Sequence, residues 1–381
     1  MTPTRRDFVR TALAAPFFAA GLCADEPTRP GFPGMIVRAR EPHNFEFPLS
    51  ELKDAIIPNE QFYIRSHFAT PTVGVKTWRL KVEGAVERPL ELSFEDLTKL
   101  PSRTAAVTLE CAGNGRVFLS PAGGGVQWSQ GAVGNAEWAG VPLAAILDKA
   151  GLKDKAVEVI LEGADSGQIN SDPKSPGPIH FARSLPVEKA KSDSVLLAHK
   201  MNGEDLPVDH GRPVRAIVGG WYGMASVKWL TRIVVTDRPF QGFFQALEYA
   251  YFVRRDGLPS LVPITAINPK AVLARPGANE VIPAGKPFRL FGAAWAGERP
   301  VAKVEVSFDG GKSWTGAKLL GEAKPLQWVL WEHAWDRPET GTASIVARAT
   351  DDMGNTQPAT RDPDRRNYMI SHLVPTAVTV R

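Results

Sequence analysis

Cys111 lies in the run Val107-Thr108-Leu109-Glu110-Cys111-Ala112-Gly113-Asn114-Gly115-Arg116. A strand-like apolar stretch there hands a lone thiol to a turn of small residues, which lets backbone approach a ligand closely. A guanidinium five residues on favours thiolate and offers fixed donors to an anion. Thiolate is a soft ligand suited to a redox metal. On these residues alone three uses stay open: a buried structural cysteine, a nucleophile served by an oriented His, or a metal ligand. The chain holds one other cysteine, Cys23. If a leader is cleaved after it, Cys111 is left as a single thiol with no internal disulfide partner. Ala20-Gly21-Leu22 is a poor lead-in to lipid attachment at Cys23.

The elements that must position this thiol are short. Residues 78–83 (Trp-Arg-Leu-Lys-Val-Glu) alternate apolar and polar, as a half-buried strand does. Residues 94–100, with Ser93 before them and Pro101 after, read as a capped helical turn. Residues 142–150 read as a short helix stopped by Gly151, and residues 157–161 and 215–218 as buried strands. After about residue 262 the pattern changes. Val304, Val306 and Phe308 alternate with polar residues before the turn Asp309-Gly310-Gly311 and Trp314. Ile345, Ala347 and Ala349 alternate again before Asp351-Asp352-Met353-Gly354-Asn355. Such runs predict a β-sandwich, with few clustered ionisable groups, hence a structural or assembly domain.

The chain has 381 residues, long enough for two or three domains, and its 32 Pro and 34 Gly favour a β-rich, turn-rich organisation. Arg5-Arg6-Asp7-Phe8-Val9-Arg10 precedes an uncharged run over residues 11–22. This predicts a secretory signal over residues 1–24, of the twin-arginine type, with an apolar run too short to span a membrane. That route exports folded proteins to the periplasm, usually because a cofactor is inserted first. The net charge is +4, and residues 1–24 carry three Arg and one Asp, so the remainder carries +2. No basic stripe points to nucleic acid.

The Cys111 segment resembles the molybdenum-ligating loop of the sulfite oxidase family, whose pattern is Cys-Ala-Gly-Asn followed closely by Arg. Further elements of that family occur in order: Ile64-Arg65-Ser66-His67, Trp128 to Ala132 with Trp138-Ala139-Gly140, and Gly163-Ala164-Asp165-Ser166. Met201-Asn202-Gly203 with Leu206-Pro207, Asp209-His210-Gly211-Arg212-Pro213-Val214-Arg215 and Val227-Lys228-Trp229-Leu230 follow, and then Ser307 to Gly311 with Trp314. The resemblance implies an α+β molybdopterin-binding catalytic domain over residues 30–262 and an all-β, immunoglobulin-like dimerisation domain over residues 263–381. It also implies a molybdenum held by a pyranopterin dithiolene, two oxygen ligands and the Cys111 sulfur. His67, Asp165, His210, Arg215, Ser226 and Lys228 are carried over as cofactor-binding residues, and Arg65 and Arg116 as the substrate pocket. Tyr249 is the expected catalytic tyrosine, with Tyr251 its rival, and Trp128 is expected to wall the pocket.

Two departures make the expected pocket less cationic than in the animal enzymes. The loop 117–126 is glycine-rich and short, with Gly124 where a lysine is expected, and Gly115 stands where those enzymes have a further Arg. Arg361, Arg365 and Arg366 are the tail's candidates to restore charge. The implied reaction is two-electron oxidation of sulfite to sulfate. The chain has no Cys-x-x-Cys-His haem site and too few thiols for an iron–sulfur cluster, so a separate c-type cytochrome is the expected acceptor and a homodimer the expected assembly. An S-oxide reductase and a sulfane dehydrogenase component are the rival enzymes. The non-enzyme rival is an exported β-rich binding protein with an inert Cys111.

Overall fold

The computed structural model describes residues 34–381, so the segment expected to be a signal, its arginine pair and Cys23 lie outside the described residues. The strand Arg103–Glu110 pairs antiparallel with Val133–Pro142 along its whole length, ending at Glu110 opposite Val133. Cys111 therefore leaves the sheet at its edge of register, held by its N–H on the Ala132 carbonyl at 2.9 Å. Val195–Met201 continues this five-stranded sheet and carries both Arg215–Val218 and the short Glu204–Asp205.

A second five-stranded sheet runs in the order Leu90–Ser93, Arg79–Gly84, Leu230–Thr236, Glu158–Gly167, Ile179–Pro186. Its 79–84 and 230–236 strands are parallel. A small sheet of Ile36–Ala39, Asn44–Glu46 and Ile64–Arg65 lies beside them. Glu46, fully buried, accepts from the backbone N–H groups of Ser129 and Gly131 and so pins the stretch that follows the Cys loop.

Helix is scarce, and each piece has a local reason. Ser93 accepts from the Asp96 N–H at 3.1 Å while Asp96 accepts from the Ser93 N–H at 3.0 Å, a reciprocal cap for Phe94–Thr98. Leu143–Ala150 buries Leu143, Ile146, Leu147 and Ala150, the i, i+3, i+4, i+7 face of a helix, and ends where Gly151 takes φ +70°. No helix among the described residues is long and apolar enough to cross a membrane.

The tail forms eight strands in one hydrogen-bonded order, from Lys270–Arg275 through Phe288–Trp295, Val329–Trp335, Thr315–Leu320, Val301–Ser307, Gly341–Asp351 and Thr376–Val380 to Val281–Ile282. The order curls on itself: the Gln357 side-chain oxygen accepts from Ala271 and Ala349, tying the first strand to the sixth. Val304, Val306, Trp331, Ile345 and Val380 share the core it encloses. Asp309 accepts from the Lys312 and Ser313 N–H groups, closing the turn expected there. The tail also reaches the first domain. The Met369 N–H donates to the Ala112 carbonyl at 2.7 Å, beside the thiol.

Candidate active site

A cavity opens at the end of the strand Arg103–Glu110. Its lining includes Cys111, Arg65, His67, Asp165, His210, Arg215, Ser226, Lys228 and Tyr249, drawn from segments far apart in the chain. Cys111 as a whole residue is 7% exposed.

Two buried cations define the cavity's charge. Arg215 spends its guanidinium on the carbonyls of His210 (3.0 Å) and Ser226 (2.9 Å). The Lys228 ammonium donates to the Ser66 hydroxyl (2.8 Å) and the Asp209 carbonyl (2.9 Å). All four acceptors are neutral. Burial, and after it the neighbouring Arg215, pushes Lys228 down to about 7, and burial lowers Arg215 to about 10. His210 stays neutral, pushed down to about 3 by burial and then by Arg215 and Lys228. Its Nε2 pairs with the Asn59 carbonyl at 3.1 Å. The Ser226 hydroxyl accepts from the Val218 N–H at 2.9 Å, so it orders the loop behind Arg215.

Asp165 reaches the cavity through an irregularity. The 158–167 strand shifts register against its neighbour between Glu162 and Ser166, and there the Ala164 N–H turns to the Trp229 carbonyl. The Asp165 Oδ1 is buried with no hydrogen-bond partner among the described residues, and burial raises its carboxyl to about 6. An orphaned buried acceptor beside cations that hold only neutral partners marks a place for a ligand with its own donors and negative charge.

Tyr249 hydrogen-bonds His67 Nε2 at 2.7 Å, and the His67 ring stacks on Phe181 at 4.6 Å. Burial raises the Tyr249 phenol above its ordinary value and holds His67 well below its own. The residues Phe243–Glu248 before it form a π-type turn. Fully buried Arg183 clamps this turn, donating to the carbonyls of Phe244 (2.6 Å) and Ile264 (2.7 Å). Tyr251 lies outside the lining, with Arg365 4.5 Å over its ring.

Arg116 departs from expectation. It is buried but does not line the cavity: it donates to the carbonyls of Val126 (2.7 Å) and Asn367 (3.2 Å) and lies over the Tyr368 ring. The short glycine loop presents the Val126 carbonyl, and the tail presents that of Asn367, and together they hold the guanidinium outside the lining. Trp128 is likewise fully buried and is not part of the lining. The tail arginines do not restore the charge. Arg366 donates to the Leu247 and Ala250 carbonyls, Arg365 pairs with Asp362, and Arg361 lines a different cleft. Arg65 alone of the two expected substrate arginines lines the cavity, its guanidinium donating to the Asn44 side chain and the Ser66 carbonyl.

Sequence reasoning missed Tyr63, Ser66 and Asp209, which line the cavity, and Arg183, which holds the turn before Tyr249. Ser66 and Asp209 sit inside motifs already singled out, so adjacency was the available signal. Asp209, although burial works to raise it, is held low by hydrogen bonds from His43 (2.8 Å) and Thr70 (2.9 Å). Nothing local marked Tyr63 or Arg183.

The donor set fits a molybdenum–pterin group: one thiol for the metal, and two cations with an unpaired acceptor for an anionic pterin tail. The family comparisons agree. Residues 67–244 match the oxidoreductase molybdopterin binding domain and residues 262–369 the Mo-co oxidoreductase dimerisation domain, so the chain is a molybdopterin-binding oxidoreductase in class. It is 31% identical to the sulfite oxidase of Arabidopsis thaliana over 88% of this chain and 90% of that one. It is 35% identical to the mitochondrial sulfite oxidase of Mus musculus, over 89% of this chain but only 64% of that longer protein. The crystal structure of the sulfane dehydrogenase SoxCD from Paracoccus pantotrophus superposes with a TM-score of 0.76 at 27% identity, covering 98% of this chain and 96% of that one. The chain belongs to the sulfite oxidase family.

Proposed function

We propose that this protein is a periplasmic sulfite dehydrogenase, oxidising sulfite to sulfate at a Cys111-ligated molybdenum–pterin centre and passing electrons to a separate c-type cytochrome. The observation that carries the reading is the cavity in which the Cys111 thiol shares a wall with Arg65, Arg215 and Lys228, whose side chains hydrogen-bond only neutral acceptors. When bound, the molybdenum–pterin group supplies the two-electron couple and the oxygen atom that the reaction needs.

The protein's own residues do the rest. Cys111 offers the soft ligand. Lys228 and the charge of Arg215, with Ser66 and His210 beside them, would hold the anionic end of the pterin, and Asp165 would accept from the pterin's donors. Arg65 draws in a small oxyanion with a permanent charge and a planar donor fork. Tyr249, kept protonated by burial and aimed by His67, can give a hydrogen bond to an oxygen near the metal. Two residues of the leader, Arg5 and Arg6, support export of the folded, loaded protein. The dimerisation domain supports a homodimer.

A second reading is a sulfane dehydrogenase. It is favoured by the whole-length likeness to SoxCD and by the cavity's loss of Arg116, which leaves it less suited to a free dianion. The deciding experiment measures molybdenum content and sulfite-dependent cytochrome c reduction for wild type and Cys111→Ala from a molybdenum-replete host. Near-stoichiometric metal and turnover abolished by the substitution are expected. Metal without sulfite turnover moves the substrate to carrier-bound sulfane or an S-oxide. No metal in either protein overturns the reading in favour of an exported binding protein.

A further inference from the structure

Glu110, the residue before the thiol, is 1% exposed and carries a carboxylate with all its partners inside the protein. Its Oε1 accepts from Lys270 Nζ (2.8 Å) and Asn114 Nδ2 (3.1 Å), and its Oε2 from Trp295 Nε1 (2.9 Å). Lys270 and Trp295 both belong to the tail's first two strands, and both are nearly inaccessible.

The same network closes the turn that carries the thiol. Lys270 Nζ also donates to the Asn114 carbonyl at 3.2 Å. The Asn114 N–H donates to the Cys111 carbonyl at 2.8 Å, and the Asn114 Oδ1 accepts from the Ala132 N–H at 3.1 Å. Residues 110 and 114 are thus both fastened to one ammonium from the other domain, and Cys111 sits between them. A buried ion pair is a poor source of stability, because each ion gives up its hydration, but removing one member leaves an uncompensated charge in the interior. Here that charge would stand one residue from the thiol.

We infer that Lys270 is a positioning residue for Cys111: acting through Glu110 and Asn114, the tail sets where the thiol is held. The inference rests on the Cys111 ligand assignment for its consequence at the metal, but its geometry needs neither metal nor sulfite.

The test uses full-length protein in two states. In metal-free protein, alkylation of the Cys111 peptide by iodoacetamide is followed by mass spectrometry well below the melting temperature. In loaded protein, the Mo(V) electron paramagnetic resonance signal and the molybdenum content are recorded. Lys270→Met is expected to speed alkylation by about tenfold or more, since burial and fixed geometry restrain a thiol, and to shift or broaden the Mo(V) signal. Glu110→Gln/Lys270→Met removes both charges while leaving a hydrogen-bonding amide, and is expected to bring alkylation and signal back toward wild type. If Lys270→Met does not fold, Lys270→Arg decides, since Arg keeps the charge but changes the donor geometry at Asn114. Wild-type alkylation and an unchanged signal in Lys270→Met, or in Lys270→Arg where Lys270→Met does not fold, would overturn the inference even if melting temperatures fall. Failure of sulfite turnover with these effects intact would count against the proposed substrate and not against the role of Lys270.

Discussion

Lys228 and His210 show how the same burial pushes two basic groups for different ends. In ligand-free protein Lys228 sits at about 7, held down by burial and Arg215. An anion bound beside it favours the ammonium, so binding takes up a proton above about pH 7 and weakens as pH rises. Lys228→Met should weaken binding of metal-free molybdopterin roughly 10- to 100-fold, the range of a lost charge-assisted hydrogen bond. It should also flatten the pH dependence, which calorimetry at about pH 6 and about pH 9 reads out. His210 is about 3 when folded against 6.5 for the free side chain. The unfolded chain binds more protons between those values, so stability falls as pH drops through the window. His210→Gln should make acid unfolding shallower by up to about one proton, measured by denaturant titration across that range.

Single elements carry the next set of constraints. The reciprocal Ser93–Asp96 cap and the Gly151 stop were legible, because both are local hydrogen-bond requirements of a helix end. The strand at 215–218 was legible from its apolar run. The π-type turn at Phe243–Glu248 and the bulge that delivers Asp165 were not, since each is imposed by partners far away, Arg183 and the Trp229 carbonyl. Gly115 is the element-scale test. It takes φ +99°, and a Cβ there would lie 3.0 Å from Ile370 Cγ2. Gly115→Ala should cost about 1–3 kcal/mol in thermal or denaturant unfolding, the range for a non-glycine residue forced into such backbone.

At the scale of the molecule, the tail is hydrogen-bonded to the loop that carries the thiol. Met369, Asn367, Lys270 and Trp295 all reach the segment from Glu110 to Arg116. The match to a dimerisation domain predicts that sedimentation equilibrium gives twice the monomer mass; a monomer at micromolar concentration would count against it. Most of the candidate site was visible in the sequence through its resemblance: Cys111, Arg65, His67, Asp165, His210, Arg215, Ser226, Lys228 and Tyr249 all meet in one cavity. What the sequence by itself determined was the short-range grammar of caps, alternations and turns, together with a soft ligand in a close-approach loop. Only the tertiary structure decided which of two chemically identical arginines faces the cavity. Arg65 lines it, while Arg116 is taken up by two carbonyls, one of them 251 residues away. The physical reason is that packing decides where a side chain is held, and the groups that hold Arg116 out of the cavity lining come in part from a distant segment of the chain.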